Sequence, residues 1–138
     1  MSVSDIRADE ALKSLLDSKV TIGENVLTVY GHCDMPNKGV GSDFIQILYN
    51  GNVSALTYPT GVFSGNLALE MYSRANSDNT AKKKRMRVAL SQIESLINGK
   101  CSEGYFFRLS PNPITPITIN ENTGYGIAIL NVEWREVH

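Results

Sequence analysis

The spacing of apolar residues switches between helical and strand periods along this chain, and that alternation limits its fold more than any other feature. Ala8, Ala11, Leu12, Leu15 and Leu16 recur at i, i+3, i+4, i+7 and i+8, which is one apolar stripe of a helix. The spacing predicts a helix over about Ser4 to Ser18, capped by Ser2 or Ser4, with Asp5, Asp9 and Glu10 at the positive end of its dipole. A second stripe, Met86, Ala89, Leu90, Ile93, Leu96 and Ile97, predicts a helix over about Ala81 to Asn98 that Gly99 ends.

Between and after these stripes the pattern is that of strands. VTIGENVLTVYG reads as two short β runs hinged at Gly23 to Asn25. FIQILYNGNVSALTYP carries β-formers on either side of Asn50-Gly51, a strong hairpin signal. TGVFSG reads as a flexible break, and NLALEMYSR alternates Leu67, Leu69 and Met71 against Ala68, Glu70 and Tyr72, a strand with one buried face. Past the second helix lie GYFFRLS, PITPITIN and GYGIAILNVEWREV. Pro113 and Pro116 demote the middle run to an edge strand or an irregular arm, because each lacks a ladder N–H. The alternation in the last run shifts phase between Ile127/Ile129 and Leu130/Val132/Trp134, which predicts a bulge or a strand buried on both faces. Helix, strands, helix, strands in 138 residues implies a single α+β domain spanning 1–138, with two helices packed on a mainly antiparallel sheet.

The function classes narrow by motif. No apolar run approaches the roughly 18 residues of a membrane span, so no membrane partner is expected. MSVSDIRADEALKSLLDSK has no basic segment leading into an apolar one, so no secretory signal is expected and the protein is placed in a cytoplasm. Cys33 and Cys101 cannot make a tetrahedral zinc site with only His32 and His138 to join them; two reduced thiols are expected, with no metal and no cofactor. Gly39-Val40-Gly41-Ser42 lacks the Gly-Lys-Ser/Thr ending of a phosphate loop, since Lys38 precedes the glycines, and His32 to Asp43 reads as an exposed loop. Neither Ser42 nor Ser64 sits in Gly-x-Ser-x-Gly, and a Ser-His-Asp set would depend on His32 or on the last residue. Glu133 and Glu136 read as solvated strand-end charges, and no enzyme activity is expected.

The remaining feature is the run TAKKKRMR. Lys82, Lys83, Lys84, Arg85 and Arg87 fall at the start of the second helix, where cations oppose the helix dipole at about 0.3–1 kcal/mol each. The chain's net charge is −1, from 13 basic and 14 acidic residues, so outside this run the protein is mildly acidic. A solvated helix face accounts for some of the five. The sharper expectation is an interface, either with an acidic surface of a neighbouring subunit or partner, or with phosphate. In the phosphate case the protein is a small nucleic-acid-binding module, with Tyr105, Phe106 and Phe107 as stacking groups. Phe106 and Phe107 are adjacent on a strand and face opposite ways, so at least one is expected in the core.

The order of elements, carried by NLALEMYSRANSDNTAKKKRMRVALSQIESLINGK followed by GYFFRLSPNPITPITINENTGYGIAILNVEWREV, resembles the tail terminator and related neck or tail-completion proteins of tailed bacteriophages. The resemblance implies an α+β subunit of a homo-oligomeric ring, commonly a hexamer, at the head-proximal end of the tail tube. Such a ring ends tube growth, joins tail to neck and is assembled into the virion in the host cytoplasm. Its implied partners are further copies of itself, the tail tube protein and a neck or head-completion protein, with at most transient contact with DNA in the lumen. No catalytic residue or cofactor is implied. In a ring the 82–87 cations meet a carboxylate-bearing surface of the next subunit or of a tail or neck partner. The segments 31–43, 57–66 and 109–122 are then either partner-binding elements or plain exposed connections.

Overall fold

The period switches are reproduced as alternating helices and strands. The computed structural model describes residues 6–32, 34, 43–51, 54–57, 62–74, 79–114, 116–120 and 124–137. The expected caps Ser2 and Ser4, as well as Cys33 and residues 39–42, lie outside these. Helix α1 spans Ala8–Leu16 and buries Ala8, Ala11, Leu12 and Leu16. It matches the apolar stripe but ends before the expected Ser18, because Asp17 leaves the helical path at ψ 125° and Ser18 follows with a left-handed backbone (φ 61°). No side chain caps it at Arg7. Instead two tyrosines reach across from the sheet, where the Arg7 N–H donates to the Tyr105 hydroxyl at 2.9 Å and the Asp9 N–H to the Tyr49 hydroxyl at 3.3 Å.

Strands β1 (Thr21–Ile22) and β2 (Asn25–Val26) form a small antiparallel hairpin about Gly23, whose φ of 60° explains the glycine there. The main sheet comprises β3 (Thr28–Tyr30), β4 (Asp43–Tyr49), β5 (Ser54–Thr57), β6 (Val62–Ser73), β7 (Lys100–Ser102), β8 (Tyr105–Ile114), β9 (Thr118–Ile119) and β10 (Gly126–Glu136). Helix α2 spans Asn79–Ile97 between β6 and β7. Along the sheet the order is β3-β4-β6-β10-β8-β7, with β5 pairing β6 and β9 pairing β10. Among the described strands only the β3–β4 pair is parallel, so the sheet is mixed and mainly antiparallel, and the domain is α+β.

Three local expectations are corrected. Asn50-Gly51 is not the turn of a hairpin between β4 and β5. Both strands run along the same side of β6, β4 against Leu67–Ser73 and β5 against Val62–Ser64. Asn50-Gly51 therefore interrupts one long antiparallel path, and the Asn50 N–H still donates to the Asn66 carbonyl at 2.9 Å. TGVFSG is not a break throughout, because β6 already begins at Val62. Gly65 lies under the Trp134 indole, and a Cβ there would stand 2.9 Å from the ring, so the glycine admits a close approach within a strand.

The third correction concerns β10, which keeps one phase from end to end. Ala128, Leu130, Val132 and Trp134 are buried, while Ile127 and Ile129 point to the other face and are half-buried. The irregularity lies in its partner: Leu109 pairs Val132 but Ile114 pairs Leu130, so β8 bulges in the segment that carries Pro111 and Pro113. That proline-bearing stretch and β9 form an edge, as the missing N–H groups require. The β7–β8 hairpin turns on Glu103 and Gly104, both left-handed (φ 50° and 88°), the backbone of a two-residue primed turn.

Both helices pack on one face of the sheet. Their apolar stripes join Val29, Ile45, Ile47, Leu67, Leu69, Met71, Tyr105, Phe107, Ala128, Leu130, Val132 and Trp134 in one core cluster. The opposite face carries no described helix.

Candidate assembly surfaces

The five cations at the start of α2 do not share one surface. Lys82, Met86, Ala89, Leu90, Ile93 and Ile97 form the buried stripe, so Lys82 points into the protein and is only 4% exposed. Its ammonium donates to the Gly124 carbonyl at 2.6 Å, and its aliphatic stem packs beside Gly126. Lys83 and Arg85 are half-buried, whereas Lys84 and Arg87 are exposed. Val88, 56% exposed, lies one turn beyond Lys84. The outward face of α2 therefore carries a small apolar spot beside two exposed side chains of the same sign.

The open face of the sheet carries a second feature, which the sequence did not single out. Register places Phe44 beside Tyr72 and Tyr72 beside Ile127, all pointing away from the helices. Phe44 stacks on Tyr72 with ring centroids 4.6 Å apart and an interplanar angle of 13°. Tyr30 and Tyr125 meet Phe44 edge-on, each at 6.1 Å, and Tyr125 meets Tyr72 at 6.0 Å. The Arg74 guanidinium sits 5.5 Å from the Tyr125 ring centre. Phe44 is almost fully covered by these neighbours, but it belongs to this outer group and not to the helix-side core.

Tyr72 donates its hydroxyl proton to Glu70 at 3.1 Å. Burial, reinforced by the Glu70 charge, pushes its pKa up to about 12. Ile129, paired with Glu70 across the β6–β10 ladder, extends the apolar part of this face. At the other end the face turns polar: Arg108 donates to Glu133 at 2.6 Å, and the Arg135 guanidinium lies 5.3 Å over the Phe106 ring. A signal for this surface was present in the sequence, in the outward positions of NLALEMYSR and the out-of-phase Ile127 and Ile129. What it lacked was the strand order that brings Tyr30, Phe44, Tyr72 and Tyr125 together.

The elements invoked for nucleic-acid binding are separated. Tyr105 and Phe107 are buried in the core, and Phe106, paired with Arg135, faces away from α2. The sheet stands between Phe106 and the helix cations, so they make no common groove. Among the described residues no group of three His, Cys, Asp or Glu side chains is placed to hold a metal ion. Comparison with protein-family models and with curated proteins finds no match for this chain.

Proposed function

We propose that this chain is a structural virion subunit of the tail-terminator or tail-completion kind, acting by assembly and not by catalysis. In this reading it forms a homo-oligomeric ring, a hexamer in the family it resembles, at the head-proximal end of a phage tail. There it ends tube growth and contacts the tail tube protein below and a neck protein above. The observation that carries the reading is the open sheet face, where Tyr30, Tyr72, Tyr125, Ile127 and Ile129 form a half-buried aromatic and apolar surface that no described helix covers. Surfaces of that composition, rimmed by Arg and Glu, suit protein contacts.

A ring also requires two unlike surfaces on each subunit, one meeting the other around a closed circle. The outward face of α2 with Lys84, Arg87 and Val88 supplies the second, on the far side of the sheet from the first. Light scattering after gel filtration, over a concentration series at low and high salt, tests the reading. The expected result is a concentration-dependent approach to a ring mass that Ile129→Glu abolishes and high salt weakens. A protein that stays monomeric throughout, and also fails to sediment with tail tubes, overturns it.

A further inference from the structure

The first turn of α1, the exit of β3 and the end of β4 meet in a polar cluster that neither assembly surface uses. The Tyr49 hydroxyl donates to Asp9 Oδ1 at 2.9 Å, and the His32 backbone N–H donates to Asp9 Oδ2 at 3.0 Å. The Tyr49 backbone N–H in turn donates to His32 Nδ1 at 3.1 Å, and the two rings meet edge-on at 5.1 Å. One residue earlier, Gln46 Nε2 donates to the Gly31 carbonyl at 2.7 Å. These contacts stand in for a ladder, because β3 pairs with β4 only through Thr28, Val29 and Tyr30. Beyond Tyr30, among the described residues, the side chains of Gln46 and His32 join this segment to β4.

A backbone N–H can only donate, so Nδ1 of His32 must present its lone pair, and the ring proton sits on Nε2. We infer that His32 is an acid-released latch that fastens the exit of β3 to the end of β4 while the imidazole is neutral and lets go when the ring takes a second proton. A doubly protonated ring has no acceptor for Tyr49. The other charged and titratable groups around it lie on α1, β4, β8 and the segment of His32 itself. Asp9 on α1 accepts the His32 backbone N–H, and the Asp34 carboxylate stands beside Gly31. Tyr49 on β4 stays a donor, since burial pushes its hydroxyl above the ordinary range and outweighs the opposing bond from the Asp9 backbone N–H. Tyr105 on β8 acts on Tyr49 as a neighbouring phenol and accepts the Arg7 N–H. Gln46 does not titrate, so the release uncouples His32 while Gly31 keeps its bond.

The latch belongs to the single subunit, so its test and the assembly test fail independently. The experiment is a nuclear magnetic resonance titration of the whole chain from pH 7.5 to 5.5, following the ring nitrogens of His32 and the exchange protection of the Tyr49 amide. As His32 becomes doubly protonated, Tyr49 protection, corrected for the intrinsic pH dependence of exchange, is expected to fall about tenfold, with amides of the β6–β10 pairing unchanged. In His32→Asn, whose side-chain oxygen can accept in place of Nδ1 and does not titrate, protection is expected to stay flat. The inference is overturned if the ring protonates with no change at Tyr49, if the ring does not take a second proton over this range, or if His32→Asn loses protection with the wild-type pH dependence.

Discussion

The two faces of the main sheet are built from alternate residues of the same strands, yet they obey different rules. On the helix side, β6 and β10 present Leu67, Leu69, Met71, Ala128, Leu130, Val132 and Trp134, all buried and all apolar. On the open side the same strands present Ala68, Glu70, Tyr72, Ile127, Ile129, Glu133 and Arg135, which mix aromatic, aliphatic and charged groups at partial exposure. The helix-side face is determined by the need to remove apolar area from water, at roughly 25 cal/mol per Å². The open face removes less apolar area from water, and its aromatic rings pack mainly on one another.

Truncating one residue on each face should separate the two most sharply. Trp134→Ala removes a side chain that is 2% exposed and packs on Gly65, Tyr49 and Tyr105, and should cost about 3–5 kcal/mol in denaturant unfolding. Ile129→Ala, on the open face of the same strand, should cost about 1 kcal/mol or less while weakening self-association. Equal losses of stability would mean that the open face is part of the monomer's core and would remove its availability for docking.

The same contrast divides the basic run. Lys82→Ala deletes a buried ammonium together with its bond to Gly124 and leaves that carbonyl without its charged donor, so a loss of about 1–3 kcal/mol is expected. Lys84→Ala and Arg87→Ala, two residues on the outward face of the same helix, should each change stability by no more than about 0.5 kcal/mol. If Lys82→Ala proved as mild as the other two, its burial would be incidental to the fold.

The smallest expected effect is spectroscopic. Burial, and after it the Glu70 carboxylate, disfavours the Tyr72 phenolate and pushes its pKa up to about 12. The folded protein therefore holds this proton more tightly than the unfolded chain does. The stabilising contribution is complete below pH 10 and is lost as pH rises from about 10 through about 12. Ultraviolet absorbance titration should find Tyr72 and Tyr49 both late, with Glu70→Gln restoring Tyr72 part of the way toward its ordinary range and leaving Tyr49 unchanged. A Tyr72 that titrates at 10 would show the outer cluster to be open to water.

Much of this architecture was legible beforehand. The apolar stripes located both helices, and the alternation in NLALEMYSR gave the correct inward set on β6. Period is a property of one segment and survives in the sequence whatever the segment packs against. The misread elements share the opposite character. Asn50-Gly51 has the composition of a hairpin turn, but β6 is long enough to pair β4 and β5 in succession, so the reversal falls between Thr57 and Val62. Ile127 and Ile129 looked like a change of phase because the outer face, too, is apolar at that end of β10.

Lys82 shows the limit most clearly, since in the sequence it is one of five neighbouring cations and its i+4 relation to Met86 already put it on the buried stripe. Only the approach of the chain before β10 supplies the Gly124 carbonyl that makes the position tolerable. Hydrophobic spacing alone located both helices and most of the strands and gave the inward side of the helices and of Leu67–Met71, because it encodes those properties locally. The tertiary structure decided the strand order, the tyrosine hydroxyls that meet the first turn of α1, the aromatic group on the open face and the partner of Lys82. Each of those depends on residues tens of positions apart meeting in space, and no local pattern of residue types specifies such a meeting.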